Sequence, residues 1–147
     1  MVRLMSRTSS KGDTPAPLVL VVEDEVLIRF DAAEALRDEG MAVIEASNGA
    51  EALDLLRSGL PIAMLVTDIT MPGEPDGLRL AALARELHPG LPVLLASAVA
   101  PAESGFLRTL RKPYVASQLL SMVAAMLEEG WHTAKYLAAE RRDDRAS

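Results

Sequence analysis

Five polar side chains stand where apolar runs give out. Glu23 and Asp24 follow Leu18–Val22, Asp68 follows Ala63–Val66 by one residue, Ser97 follows Pro92–Ala96, and Lys112 lies just past Phe106–Leu110. Three carboxylates brought together repel one another and need a counter-charge to stay ionised. A hard divalent cation, Mg²⁺ or Mn²⁺, supplies it through oxygen ligands while keeping several waters. Lys112 adds a fixed positive charge, and Ser97 a hydroxyl donor. A carboxylate with a cation, an ammonium and a hydroxyl around it suits capture of a phosphoryl group. The transition state of that transfer spreads charge over equatorial oxygens, which positioned cations and donors stabilise. Asp68 is the nucleophile in this reading.

The elements that must position these groups are legible in order. Leu18–Val22 reads as a strand buried on both faces. Ile28, Ala32, Ala35, Leu36 and Glu39 then follow helical spacing, with Arg29, Asp31, Arg37 and Asp38 left for solvent and Gly40 as a stop. Val43–Ala46 is a second strand. Ser47 or Asn48 caps a helix carrying Ala52, Leu53 and Leu56, which Gly59 and Pro61 close. The third strand bears Asp68, and Met71-Pro72-Gly73-Glu74-Pro75-Asp76-Gly77 forces a turn. Asp76 caps a helix with Leu80, Leu83, Ala84 and Leu87, ended by Pro89-Gly90. Residues 100–105 leave room for a turn or two of helix at most. After the fifth strand, Leu119, Leu120, Val123, Met126 and Leu127 pattern a last helix that Gly130 interrupts. Strands alternating with helices imply right-handed crossovers and a parallel sheet covered on both faces. In such a sheet the strand ends meet at one rim, where open α/β folds place their chemistry.

Composition narrows the classes. A chain of 147 residues fits one domain, and half of it is apolar. The net charge of −6 argues against a dominant nucleic-acid surface, and the lack of cysteine excludes disulfides and thiolate metal sites. No apolar run approaches the ~20 residues of a membrane span. Residues 1–17 lack the apolar middle of a signal peptide and read as a flexible leader, so a cytoplasmic protein is expected. Residues 130–147 read as a charged tail whose pattern supports helix poorly, with Arg141, Arg142 and Arg145 balanced by Glu140, Asp143 and Asp144.

Glu23-Asp24-Glu25 after the first strand, Asp68-Ile69-Thr70-Met71-Pro72 after the third, Ser97-Ala98 after the fourth and Lys112-Pro113-Tyr114 after the fifth resemble the motifs of bacterial response-regulator receiver domains. The resemblance covers about Leu18 to Glu128, within a receiver domain expected over 18–129. It implies a flavodoxin-like (βα)₅ fold, a doubly wound parallel five-stranded sheet, here with a shortened or irregular fourth helix. It also implies Mg²⁺-dependent transfer from a histidine kinase's phosphohistidine to Asp68. By the same resemblance Asp24, Asp68 and the Thr70 backbone carbonyl are metal ligands, with Glu23 acting through water. Ser97 matches the switch hydroxyl, Lys112 the phosphoryl-contacting lysine, and Pro113 a position often in cis. Thr109 stands where many receivers carry a switch aromatic, and Phe106 falls on the opposite strand face.

Blander roles are assigned to other residues. Glu25 reads as a first-turn acid favoured by the helix dipole. Met71-Pro72 shapes a turn, and His88 and His132, without partners at metal-ligand spacing, read as surface residues. Fewer than twenty residues follow Glu128. The expectation is therefore a stand-alone phosphoacceptor, not an enzyme on external substrates, acting through a sensor kinase or phosphotransfer protein and an output protein or a homodimer. The alternative is a binding module that uses the fold without phosphorylation. A small phosphohydrolase would need a second acid two residues after Asp68, where Thr70 stands.

Overall fold

A computed structural model describes residues 15–99 and 107–130. Leu18–Val22 (β1) buries Val19 and Val21 toward one side of the sheet and Leu20 and Val22 toward the other, as expected for a strand covered on both faces. Val26–Asp38 (α1), Ala42–Ala46 (β2), Gly49–Arg57 (α2), Ile62–Asp68 (β3), Gly77–Leu87 (α3), Val93–Ser97 (β4) and Arg108–Arg111 (β5) follow. Residues 116–130 form a further helix, α4. All strand pairs are parallel, in the order β2-β1-β3-β4-β5. This is the flavodoxin-like winding expected from the sequence.

Two apolar layers clamp the sheet. Ala52 and Leu56 of α2 and Leu80, Ala81 and Ala84 of α3 pack with Leu20, Leu65 and Leu95. Ala32 and Leu36 of α1 and Leu119, Val123 and Met126 of α4 pack with Val19, Met64, Val66 and Leu94 on the other face. The chain reverses its winding direction between β1 and β3, so their carboxyl ends flank a crevice at the switch point. Asp24 and Asp68 lie there.

Local chemistry fixes the helix starts. The Asn48 side chain accepts from Glu51 N at 2.8 Å, while Glu51 Oε1 accepts from Ser47 N and Ser47 Oγ, each at 2.7 Å. That reciprocal cap satisfies donors the first turn of α2 leaves open, and it lowers the Glu51 pKa. Asp76 caps α3 by accepting from Arg79 N at 2.9 Å. Gly77, the first residue of α3, allows the closest backbone approach near the rim: a Cβ there would collide with the carbonyl oxygen of Asp68. At Gly49 a Cβ would strike the Pro75 carbonyl oxygen, so α2 and the turn after β3 touch backbone to backbone.

Several expectations are corrected. β5 runs over Arg108–Arg111, leaving Leu107 outside it and reaching one residue past the expected end at Leu110, because its ladder pairs Leu94 with Arg108 through Ser97 with Arg111. Gly130 is still helical. Arg29 and Arg37 do not simply face water: both pair with Glu45 on β2. The His88 ring, half-buried, bonds the Leu56 carbonyl oxygen at 2.7 Å and ties the end of α3 to the end of α2. The shortened fourth-helix segment and Phe106 lie outside the described residues, as do residues 1–14 of the leader and residues 131–147 of the tail.

Candidate functional site

Asp68 is the last residue of β3, held on both sides. Its strand partner is Ala96, whose carbonyl accepts from Ile69 N at 3.0 Å, and the Thr67 hydroxyl donates to the Asp68 carbonyl at 3.0 Å. The Asp68 side chain is nearly buried yet stays at the rim. Its Oδ1 accepts from Thr70 N at 3.3 Å and its Oδ2 faces Lys112 Nζ at 3.2 Å. Lys112 reaches it because its own N–H donates to the Ser97 carbonyl at 2.8 Å, which locks the end of β5 to the end of β4. The Lys112–Pro113 peptide is cis, as the resemblance implied, and Glu74–Pro75 is a second cis bond that the sequence reading did not anticipate.

Glu23 crosses to the same ammonium. Its Oε2 accepts from Lys112 Nζ at 2.7 Å, and its Oε1 accepts from Glu25 N at 3.3 Å. Burial is the largest influence on Glu23 and, together with the negative charge of Asp68, raises its pKa against the opposing Lys112 hydrogen bond. For Lys112, burial works against the charged form, but bonding to Glu23 and Asp68 outweighs it and raises the ammonium above its ordinary range. Tyr114 is raised too, by burial and then by the Glu23 charge.

Ligand oxygens of Glu23, Asp24 and Asp68 lie within 4.8 Å of one another. Opposite ligands of one Mg²⁺ at its usual bond lengths are about 4.2 Å apart. The cluster therefore closes on such an ion with small side-chain shifts, and exposed Asp24 leaves an open side for retained waters. Three carboxylates face one ammonium here, so a further cation improves the charge balance. These acids fit a hard divalent ion.

The structure thus brings Glu23, Asp24, Asp68 and Lys112 together. Thr70 is adjacent through its N–H. Ser97 is buried at the tip of β4, where its hydroxyl accepts from Val99 N at 3.1 Å. Sequence reading missed Arg29, whose Nη1 donates to the Glu23 carbonyl at 2.8 Å. It also missed the close approach at Gly77, which an Asp-Gly pair opening a helix next to the nucleophile's turn could have flagged. Beside Lys112 a cleft of about 590 Å³ opens between α1 and α4, lined by Ile28, Ala32, Pro113, Tyr114 and Leu119 among others.

The comparisons agree with this geometry. A family model described as "Response regulator receiver domain" matches residues 19–124. The chain is 36% identical over 120 residues to the sensor kinase CckA of Brucella abortus, covering 76% of this chain and 12% of that protein. It is 40% identical over 118 residues to a 14.6 kDa protein of Leptolyngbya boryana, covering 71% of this chain and 86% of that one. Among solved structures it resembles a response regulator receiver protein from Sinorhizobium medicae, at 32% identity and TM-score 0.74, covering 78% of this chain and 97% of that one. The chain spans between 12% and 50% of the length of the first curated relatives it matches. A parallel 2-1-3-4-5 sheet with its acids at the switch point, and a family match over most of the length, lead to one conclusion: the chain belongs to the response-regulator receiver domain family.

Proposed function

We propose that this protein is a stand-alone response regulator that accepts a phosphoryl group from a histidine kinase or phosphotransfer protein onto Asp68, in the cytoplasm, and signals through protein contacts. Receiver domains act in two-component systems, interact with histidine kinases and output proteins, and are generally not enzymes on external substrates. The observation that carries the reading is the Lys112 ammonium 3.2 Å from Asp68 Oδ2, with the Glu23 and Asp24 acids in the same cluster.

In this mechanism an Asp68 carboxylate oxygen attacks phosphorus, the bond from phosphorus to the donor histidine nitrogen breaks, and that nitrogen regains a proton. Asp24, Asp68 and the Thr70 carbonyl would hold Mg²⁺, with Glu23 reaching it through water because Lys112 already engages its carboxylate. A divalent ion held there would supply positive charge against that developing on the phosphoryl oxygens. Lys112 turns from the Asp68 carboxylate to a phosphoryl oxygen, exchanging one anionic partner for another. The Ser97 hydroxyl gives up Val99 N and donates to the new phosphate, which pulls on the β4 end and, through the Ser97–Lys112 backbone bond, on β5.

The donor would dock on the apolar start of α1. Val26, Leu27 and Phe30 are 64%, 77% and 54% exposed, directly after the acid pair. The experiment is incubation with acetyl phosphate and Mg²⁺. An acid-labile adduct is expected on the wild type and none on Asp68→Asn. Partner binding indifferent to phosphodonor, Mg²⁺ and Asp68→Asn would favour a phosphorylation-independent binding module instead.

A further inference from the structure

We infer that Arg29 is a positioning residue for the metal-binding acids, acting through the backbone of Glu23 and held in place by Glu45. The inference rests on the metal site proposed above and concerns a residue outside it.

Glu23 closes the ladder between β1 and β2: its N–H donates to the Ala46 carbonyl at 3.1 Å. Beyond that bond the chain leaves the sheet, and the Glu23 carbonyl must find a partner elsewhere. Arg29, on the first turn of α1, supplies it. Its Nη1 donates to Glu23 O at 2.8 Å, while its Nε lies 3.4 Å from Glu45 Oε1 on β2. The Arg29 side chain is only 17% exposed. Glu45 is itself gripped by Arg37 Nη2 at 3.2 Å, and the same nitrogen donates to the Val43 carbonyl at 3.1 Å. A continuous set of bonds therefore runs from the Glu23 carbonyl through Arg29, Glu45 and Arg37 to β2. It fixes the peptide that joins Glu23 to Asp24, and with it the direction in which both carboxylates leave the chain. A planar fork suits this task because one side chain serves a carbonyl and a carboxylate at once. Lysine, with a compact charge on a flexible stem, holds two such partners less well.

The sign of the effect separates positioning from bare charge. A cation bonded to the backbone of Glu23 repels Mg²⁺ bound beside it, so on Coulomb grounds alone its removal would tighten metal binding. Positioning demands the reverse. Loss of outer groups that orient metal ligands typically costs about 10–100-fold in affinity.

The test is calorimetric titration of the full chain with Mg²⁺ alone, alongside urea unfolding of each metal-free variant. Arg29→Gln is expected to weaken Mg²⁺ about tenfold. Arg29→Lys, which keeps the charge and gives a second reading should the Gln variant fold poorly, is expected to weaken it about threefold, with partial rescue. Arg108→Gln removes the same charge from a surface pair with Glu129 far along the chain and should leave affinity unchanged. Wild-type affinity in Arg29→Lys, or unchanged or tighter binding in Arg29→Gln, overturns the inference. Asp24→Asn distinguishes the two levels. If it abolishes binding while both Arg29 variants bind like the wild type, the inference alone fails; if the wild type binds no Mg²⁺, the metal site fails and the inference with it.

Discussion

At the scale of single residues the site is a contest for one ammonium. Lys112 sits 2.7 Å from Glu23 and 3.2 Å from Asp68, and both acids are almost fully buried. The longer acid at position 23 lets it span to the lysine, which a shorter side chain on the same backbone would reach less readily. The cost of ionising Glu23 appears as a raised pKa, caused first by burial and then by the neighbouring Asp68 charge. The folded protein thus holds the Glu23 proton more tightly than the unfolded chain does. Stability from this group is full below its ordinary value of 4.5 and is lost as pH rises through the raised folded value. Glu23→Gln is therefore expected to raise the urea midpoint of the metal-free protein at pH 7, and that advantage should shrink to nothing below pH 4.5. An unchanged or lowered midpoint at pH 7 would mean that the Lys112 bond outweighs burial. The acids and Lys112 were readable from sequence because each follows an apolar run. The bond between Arg29 and the Glu23 carbonyl was not: Arg29 falls on the polar side of α1 by helical spacing, and nothing local marks Glu45 on β2 as its partner.

At the scale of elements, strand ends do the positioning, and helix starts are trimmed to let them meet. Asp76 and Asn48 cap their helices with bonds of 2.9 and 2.8 Å, and both were foreseeable because short polar side chains preceded helical patterns. The boundary of β5 was less legible. Its residues 108, 109 and 111 are exposed and only Leu110 is buried, as expected of an edge strand, so alternation gives a weak signal. Gly77 shows what periodicity cannot reveal. Alanine would improve helix propensity by about 1 kcal/mol, yet its methyl would collide with the backbone of Asp68, which no rotamer change relieves. Gly77→Ala is expected to lose about 1–3 kcal/mol net in urea unfolding, and to slow acetyl-phosphate labelling by displacing Asp68. Wild-type stability and labelling would show that α3 can back away freely.

At the scale of the whole molecule, the site exists only when loops from four strands reach one rim. The parallel 2-1-3-4-5 winding achieves this by putting β1 and β3 side by side at the centre and β4 and β5 next to them. The same winding places the start of α1 beside the rim with Val26, Leu27 and Phe30 facing water. An exposed leucine contributes little to folding, whereas a carboxylate placed in an apolar docking patch must be desolvated without a partner. Leu27→Glu is expected to slow transfer from a phosphohistidine kinase domain about tenfold or more, while labelling by acetyl phosphate stays unchanged. Equal slowing with both donors would place the fault in the site rather than the surface. The central claim remains that one carboxylate, framed by acids, a cation and an ammonium, takes the phosphoryl group. Borohydride reduction after phosphodonor treatment, followed by peptide mass mapping, reads this directly. The account predicts conversion to homoserine at position 68 alone, and only with Mg²⁺ present. Conversion at another carboxylate, or equal conversion in EDTA, would contradict it.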